Sequence, residues 1–94
     1  LGIVEIVELG WPTDTLGDVS EVALRAEIIR QIRTHRPYAL VTFDPYAQFG
    51  EDNQDHLKVA AATDEAFWTS QFPLHHPEHL QAGLEPHGCF ERWY

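Results

Sequence analysis

The sequence predicts an α/β fold built on a mostly parallel sheet. Two observations predict it: short β-branched or apolar runs alternate with stretches of helical periodicity, and the first helix passes into the next apolar run within a few residues. Strand, helix, strand, helix and a final strand follow one another along the chain, which is the pattern of right-handed crossovers between parallel strands. The predicted elements are residues 3–7, 19–35, 38–43, 54–69 and 90–94.

The first predicted strand, residues 3–7, is rich in Ile and Val and is followed by Gly10-Trp11-Pro12, which cannot continue a strand interior. The first helix is predicted over residues 19–35. Asp18 and Glu21 have the spacing of a capping box, with Asp in place of Ser or Thr. Apolar residues then recur at helical spacing. They are Val22, Ala26, Ile29 and Ile32.

Pro37 disfavours helical geometry at Arg36, so the first helix should end there and the apolar strand 38–43 should follow at once. A second helix is predicted over residues 54–69, with Asp52 or Asn53 as its N-cap. Apolar positions support this helix. They are Leu57, Ala60, Ala61, Phe67 and Trp68. We predict no regular structure for residues 71–87, which carry Pro73, Pro77 and Pro86.

Composition limits the possible functions. The 94 residues include 15 Asp and Glu but only 6 Lys and Arg, giving a formal charge of −9. This argues against a nucleic-acid partner, which needs a basic face, and leaves a small-molecule ligand as the expected partner. Cys89 is the single cysteine and cannot form an internal disulfide. No apolar run approaches the length of a membrane span. We therefore expect a cytoplasmic protein, with a homo-oligomer left open.

The chain contains no Met, opens on an apolar run and stops inside a predicted strand. We expect it to be an internal fragment of a longer protein, with its sheet truncated at both ends.

Several polar residues lie between the end of the strand 38–43 and the start of the second helix. Parallel α/β proteins bind their ligands at this end of the strands. Asp44 ends the strand, and Asn53, Asp55 and His56 lie at the helix start. Asp44 could serve a site or form an Asx turn before Pro45. Asp14, in the loop after residues 3–7, could hydrogen-bond a ligand or close a turn. Glu51 and Asp52 could raise the basicity of His56 or be solvated.

A second group of histidines is a weaker candidate for metal binding. His75 and His79 have the spacing of two ligands on one helix face, but Pro77 lies between them and disfavours a continuous helix. We interpret this segment as a solvated loop near the rim of the site. His87 is a possible substrate contact by its position.

Four motifs, in matching order and spacing, resemble the LmbE-like (PIG-L) zinc-dependent N-deacetylases. They are Leu9-Gly10-Trp11-Pro12-x-Asp14, Ile29-Arg30-x-Ile32-Arg33-x-x-Arg36-Pro37, Val41-Thr42-x-Asp44-Pro45 and Asp55-His56. The resemblance implies a Rossmann-like three-layer α/β sandwich, of which residues 1–94 would be a partial domain. It also implies a hydrolase that uses one Zn²⁺ to remove an acetyl group from an N-acetylglucosamine-type conjugate.

The resemblance also implies roles for individual residues. His56 corresponds to the third zinc ligand of the family, and Asp55 to a neighbour that organises the polar site. The other two ligands and the general base belong to a His-Pro-Asp-Asp motif that this sequence lacks. Asn53 stands where many members carry a histidine that stabilises the oxyanion. Asn53 can donate only a neutral amide hydrogen bond, which implies a different mechanistic detail or a weaker enzyme.

Three hypotheses follow from the sequence. The favoured one is a segment of a zinc-dependent N-deacetylase, with Asp55 and Asn53 as catalytic residues, His56 as metal ligand, and Asp14, Asp44 and His87 as substrate contacts. The second is a remnant that keeps the fold but has lost metal and activity. The third is a nucleotide-binding module, which the absence of Gly-x-Gly-x-x-Gly and Walker motifs opposes.

Overall fold

The structure is a computed structural model that describes residues 2–47 and 50–94. Its elements are α1 (Glu21–His35), β1 (Ala39–Val41), α2 (Gln54–Thr69), α3 (Glu78–Gln81) and β2 (Glu91–Trp93), with a 3-10 turn at Leu16–Asp18. Both predicted helices, the second predicted strand and the final strand are confirmed. Gln48 and Phe49, in the predicted loop between strand and helix, lie outside the described residues.

The described part of the sheet consists of β1 and β2, which run parallel with Leu40 opposite Arg92. This confirms the α/β class and the parallel pairing. The helices α1 and α2 pack together, and Leu40 packs against their buried cluster. Val41 points to the other face of the sheet, since side chains alternate along a strand, and is 78% exposed. The described residues thus form two layers, and the predicted third layer is not established.

Both ends of α1 are set by local chemistry. The helix begins after Ser20, whose hydroxyl accepts a hydrogen bond from the Ala23 amide at 3.4 Å. The predicted capping box at Asp18 is therefore wrong: Asp18 ends the preceding 3-10 turn, and the shorter Ser side chain two residues later takes the cap. At the other end Arg36 adopts a left-handed conformation with φ 50°, which stops the helix directly before Pro37.

Small residues of α2 form its contact with α1. Ala60 and Ala66 are fully buried, and Ala66 lies in one cluster with Ile29 and Ile32 of α1. Trp68, one of the apolar positions that supported the predicted helix, lies outside this contact and is 63% exposed. Side chains as small as Ala allow two helices to approach closely, so α2 packs on α1 through its alanines and not through Trp68.

The predicted first strand, residues 3–7, is wrong for the described chain. These residues have no regular secondary structure, and Ile3, Val4 and Ile6 are at least 70% exposed. A β-branched run favours a strand only when a neighbouring strand is available to satisfy its backbone amides and carbonyls. Among the described residues, no segment pairs with it.

Arg33 holds the segment that follows α2 against α1. Its guanidinium is buried and donates to three backbone carbonyls: Nε to Ser70 at 3.1 Å, Nη1 to His76 at 3.0 Å and Nη2 to Phe72 at 2.9 Å. Nη1 also lies 3.1 Å from Nδ1 of His79. One planar cation thus satisfies several buried acceptors and fixes the path of residues 70–79.

The histidine segment is consequently less solvated than predicted. His79 is only 5% exposed, although His75 is exposed as expected. Residues 78–81 form the short helix α3, where no regular structure was predicted, and it begins directly after Pro77. Proline is compatible with the start of a helix, because the first amides have no partner within the helix. Pro77 therefore stands at the start of α3, and His75 lies outside the helix that carries His79.

The protonation state of His79 follows from its partners. A guanidinium can only donate, so Nδ1 of His79 must accept, which requires the neutral ring. Burial lowers the pKa of His79 below its ordinary 6.5, and the charge of Arg33 lowers it further, against an opposing effect of Glu78. His79 is therefore neutral in the folded protein at pH values where an unfolded histidine is already protonated.

This arrangement predicts a pH-dependent stability. As pH falls from about 7.5 to about 5.5, unfolded His79 takes up a proton while the folded residue resists it, so the free energy of unfolding should decrease. In His79→Asn, whose amide oxygen can replace the Nδ1 acceptor, this decrease should be smaller. Urea unfolding of the intact protein at the two pH values measures it, with His75→Asn as an exposed control. Equal pH dependence in wild type and His79→Asn would contradict the assignment.

Candidate active site

The amino end of α2 is organised by Asn53. Its side-chain Oδ1 accepts hydrogen bonds from the backbone amides of Asp55 at 2.9 Å and His56 at 3.3 Å. These are among the first amides of the helix, which have no carbonyl partner within it. Of the two predicted N-caps, Asp52 and Asn53, the structure confirms Asn53. The cap also fixes the backbone of both residues predicted to act beside it.

His56 lies in the first turn of α2 and is held on two sides. Its Nδ1 is 2.8 Å from Oε2 of Glu51, and its ring stacks on Phe43 with centroids 3.9 Å apart and planes within 9°. The Glu51 carboxylate stays ionised, because the hydrogen bonds from His56 and from the Asn53 amide lower its pKa. An ionised carboxylate only accepts, so Nδ1 of His56 carries the hydrogen. In the neutral ring, Nε2 then has the lone pair.

Asp55 connects α2 to the loop before α1. Its Oδ2 accepts from the Asp14 amide at 2.6 Å, and its Oδ1 accepts from the Leu16 amide at 3.1 Å. Asp14 has φ 66°, a conformation that is uncommon outside glycine but tolerated by Asp. The carboxylate therefore determines where the loop lies. It brings Asp14 and Asp55, both predicted site residues, into direct contact.

A cleft of about 600 Å³ opens where β1 ends. Its described lining is Thr42, Phe43, Asp44, Ala47, Gly50, Glu51 and Tyr94. Asp44 also accepts a hydrogen bond at Oδ1 from the Tyr46 amide at 2.9 Å, so the Asx turn considered in the sequence is present and a carboxylate lines the cleft. Phe43 and Glu51 connect this cleft to His56 through the contacts described above.

His87 lies at the other end of β1. Its Nε2 donates to the Pro37 carbonyl at 2.7 Å, and its backbone amide donates to the Ser70 carbonyl at 3.1 Å. Pro37 precedes β1, whereas the cleft follows it. The structure therefore brings Asn53, Asp55, His56, Asp14 and Asp44 to one end of the domain and does not bring His87 to them. The substrate role of His87 stays a prediction.

Three residues next to the cleft were not identified as site residues from the sequence. Glu51 was noted only as a nearby charge, Phe43 only as part of a strand, and Tyr94 only as the end of one. Glu51 lies outside the helix that carries His56, so no helical spacing relates the two residues. The position of Phe43 at the exit of β1 was the one available signal, since residues at that end of a parallel strand border the site.

Within residues 2–47 and 50–94, no three His, Cys, Asp or Glu side chains converge in a way that could hold a metal ion. In the same residues, every helix is too short or too polar to cross a bilayer. The described residues alone therefore do not supply a three-ligand metal site.

The cap predicts a measurable contribution to stability. Asn53→Ala should lower the free energy of unfolding by about 1 kcal/mol, because two helix amides lose their acceptor. Asn53→Ser supplies another good cap without adding a charge beside Glu51 and should retain most of the stability. Urea unfolding of the intact protein distinguishes the two variants. If Asn53→Ala were as stable as Asn53→Ser, the capping role would be wrong.

The carboxylate of Asp55 predicts a local effect on the loop. In Asp55→Ala, the amides of Asp14 and Leu16 should exchange with solvent at least roughly tenfold faster, because each loses a charge-assisted hydrogen bond. Hydrogen exchange of the intact protein measures this. Asp52→Ala removes a neighbouring exposed carboxylate and is the control. Unchanged exchange in Asp55→Ala would show that other contacts hold the loop.

Comparison with known proteins supports the fold. No family model matches the chain, and no curated protein sequence matches it either. Among solved structures, the chain is similar to N,N'-diacetylchitobiose deacetylase from Pyrococcus horikoshii complexed with its inhibitor MPG, with a TM-score of 0.83 and 22% sequence identity. The match covers 96% of this chain and 33% of that one, so the chain spans about a third of the deacetylase. The chain therefore has an α/β fold like that of part of a deacetylase.

Proposed function

We propose that this chain is part of a zinc-dependent hydrolase that removes an acetyl group from an N-acetylated amino sugar of the N-acetylglucosamine type. The contact between His56 Nδ1 and Glu51 at 2.8 Å carries the proposal. A carboxylate on one ring nitrogen is the usual way in which proteins orient a metal-ligating histidine and fix its tautomer. The motifs that resemble the LmbE-like family, and the similarity in fold to a diacetylchitobiose deacetylase, support the same function.

Of the residues at this site, only His56 is proposed as a zinc ligand. The Nε2 lone pair of His56 suits a zinc ligand. Both oxygens of Asp55 already accept backbone amides, so this carboxylate organises the site and is not placed as a ligand. The proposal therefore requires two further ligands and a general base from other parts of the protein, as the family resemblance implies. Zinc with an open coordination position lowers the pKa of a bound water to about 7, which permits amide hydrolysis at neutral pH.

The chain's own residues would then bind and orient the substrate. Oδ1 of Asn53 is engaged by helix amides, which leaves its Nδ2 hydrogens to donate to the oxyanion that develops on the acetyl carbonyl. Asp44, in the cleft, would accept hydrogen bonds from sugar hydroxyls. Asp14, held by Asp55, would do the same from the neighbouring loop. His87 is the fourth proposed contact and would require a substrate that extends to the other end of β1.

One observation favours the second candidate, a relative that keeps the fold without metal or activity. The contacts of Asn53 and Asp55 are fully accounted for by local structure, as a helix cap and a loop anchor. A protein that had lost its metal and its catalytic activity would keep these structural roles. The two candidates differ in whether His56 binds zinc.

The intact protein should bind about one zinc ion and lose most of it in His56→Ala, since one of the few protein ligands is removed. Metal analysis after dialysis measures the zinc content, and release of acetate from N-acetylglucosamine conjugates measures activity. His35→Ala removes an exposed histidine at the far end of α1 and is the control.

The possible outcomes separate the two candidates. Zinc content and activity that are unchanged in His56→Ala would overturn the ligand role. A wild-type protein that binds no zinc and releases no acetate would support the inactive relative.

A further inference from the structure

Tyr94 forms one wall of the cleft at the end of β1. It follows directly on β2, and the parallel pairing of β2 with β1 brings it beside Asp44 and Glu51. The residue is 52% exposed, so the cleft has access to its side chain. The cleft volume of about 600 Å³ is within the range of small-molecule sites. The cleft therefore combines an aromatic wall with carboxylates.

A hydrogen-bond network anchors the Tyr94 side chain. Its hydroxyl donates to Oδ1 of Asp64 at 2.7 Å, and Asp64 forms an ion pair with Arg92 at 2.9 Å. Arg92 in turn lies 4.7 Å from the centre of the Phe67 ring, a cation–π distance. Asp64 and Phe67 belong to α2, so the helix that carries His56 also holds Tyr94.

The hydroxyl of Tyr94 is consequently unsuited to proton transfer. The hydrogen bond to Asp64 raises the pKa of Tyr94 to about 12. The phenol stays neutral, and its hydroxyl proton points to the Asp64 carboxylate. Tyr94 can therefore contact a ligand through its ring, which is a flat apolar surface. The hydrogen bond of the hydroxyl fixes the orientation of the ring, and so does an edge contact with Tyr46 at 6.2 Å between ring centroids.

We propose that Tyr94 is a positioning residue that packs its ring on the C–H face of a sugar bound in the cleft, while the Asp44 carboxylate accepts hydrogen bonds from the sugar hydroxyls. This rests on the proposed function and names the sugar ring as the recognised group. A pyranose has an apolar C–H face and polar edges, and this cleft presents an apolar ring together with acceptors. Asp64 and Arg92 contribute by fixing the ring.

The test separates recognition of the sugar from the chemistry of the acetamide. In the intact protein, Tyr94→Ala should raise KM for an N-acetylglucosamine conjugate roughly tenfold while kcat changes by less than about twofold. For N-acetylethanolamine, an acetamide without a sugar ring, Tyr94→Ala should leave kcat/KM within about twofold. Tyr94→Phe keeps the ring but loses the hydrogen bond to Asp64 that fixes it, so KM should rise by no more than about threefold. Asp64→Ala should raise KM less than Tyr94→Ala, because it loosens the ring without removing it.

Tyr38→Ala is the matched control. Tyr38 is 63% exposed and stacks on Phe90 at the amino end of β1, away from the cleft. It should leave KM unchanged. Thermal melts of each variant identify loss of folding, and Tyr94→Phe decides the question if Tyr94→Ala does not fold: a tenfold rise of KM in Tyr94→Phe would overturn the ring-packing role.

Binding measured without turnover keeps this inference separate from the proposed function. Saturation-transfer NMR with chitobiose should show transfer to the C–H protons of one sugar face in wild type and much less in Tyr94→Ala. An inactive wild type that still gives this result would overturn the deacetylase proposal and keep the sugar site. Equal transfer in both proteins, or equal loss of kcat/KM for sugar and N-acetylethanolamine, would overturn the role of Tyr94.

Discussion

The cap at the amino end of α2 is the interaction on which the candidate site depends. Asn53 binds the Asp55 and His56 amides, and this fixes the backbone from which both side chains project. Asp55 then reaches the loop before α1, and His56 reaches Glu51 and Phe43 after β1. A single helix terminus thus joins two separate segments of the chain. The positive end of the helix dipole also favours the carboxylate of Asp55 in the first turn.

A second constraint connects the far end of α2 to the same cleft. Asp64 lies a little over two turns beyond His56, since a helical turn takes 3.6 residues, and it anchors Tyr94 through the phenolic hydroxyl. Arg33 has a comparable role on α1, where its guanidinium donates to the carbonyls of residues 70, 72 and 76 and so fixes the path of the chain from α2 towards β2. The two helices therefore position both walls of the cleft.

The sequence was sufficient for features that depend on neighbours along the chain. Helix α2 was predicted with its observed bounds and with Asn53 among two possible caps, because capping and periodicity are local. Strand pairing is not local: residues 3–7 have the composition of a strand but no described partner, and β composition alone does not supply one. Contacts such as His56 with Glu51, Arg33 with residues 70–79 and Tyr94 with Asp64 depend on tertiary geometry, which no spacing in the sequence reveals.

The capping geometry of Asn53 is compatible with the donor role proposed for its side-chain amide. A cap requires a side-chain acceptor on a short arm, and an oxyanion requires a donor aimed away from the helix. The amide of Asn has an oxygen and an NH₂ group on the same carbon, so it can accept from Asp55 and His56 and still donate to a substrate. A protonated imidazole has two donors and no acceptor, so it could stabilise an oxyanion but could not accept these two helix amides. Asn53 therefore meets the requirement of the helix cap and keeps a neutral donor free of it, which a protonated imidazole at this position could not do.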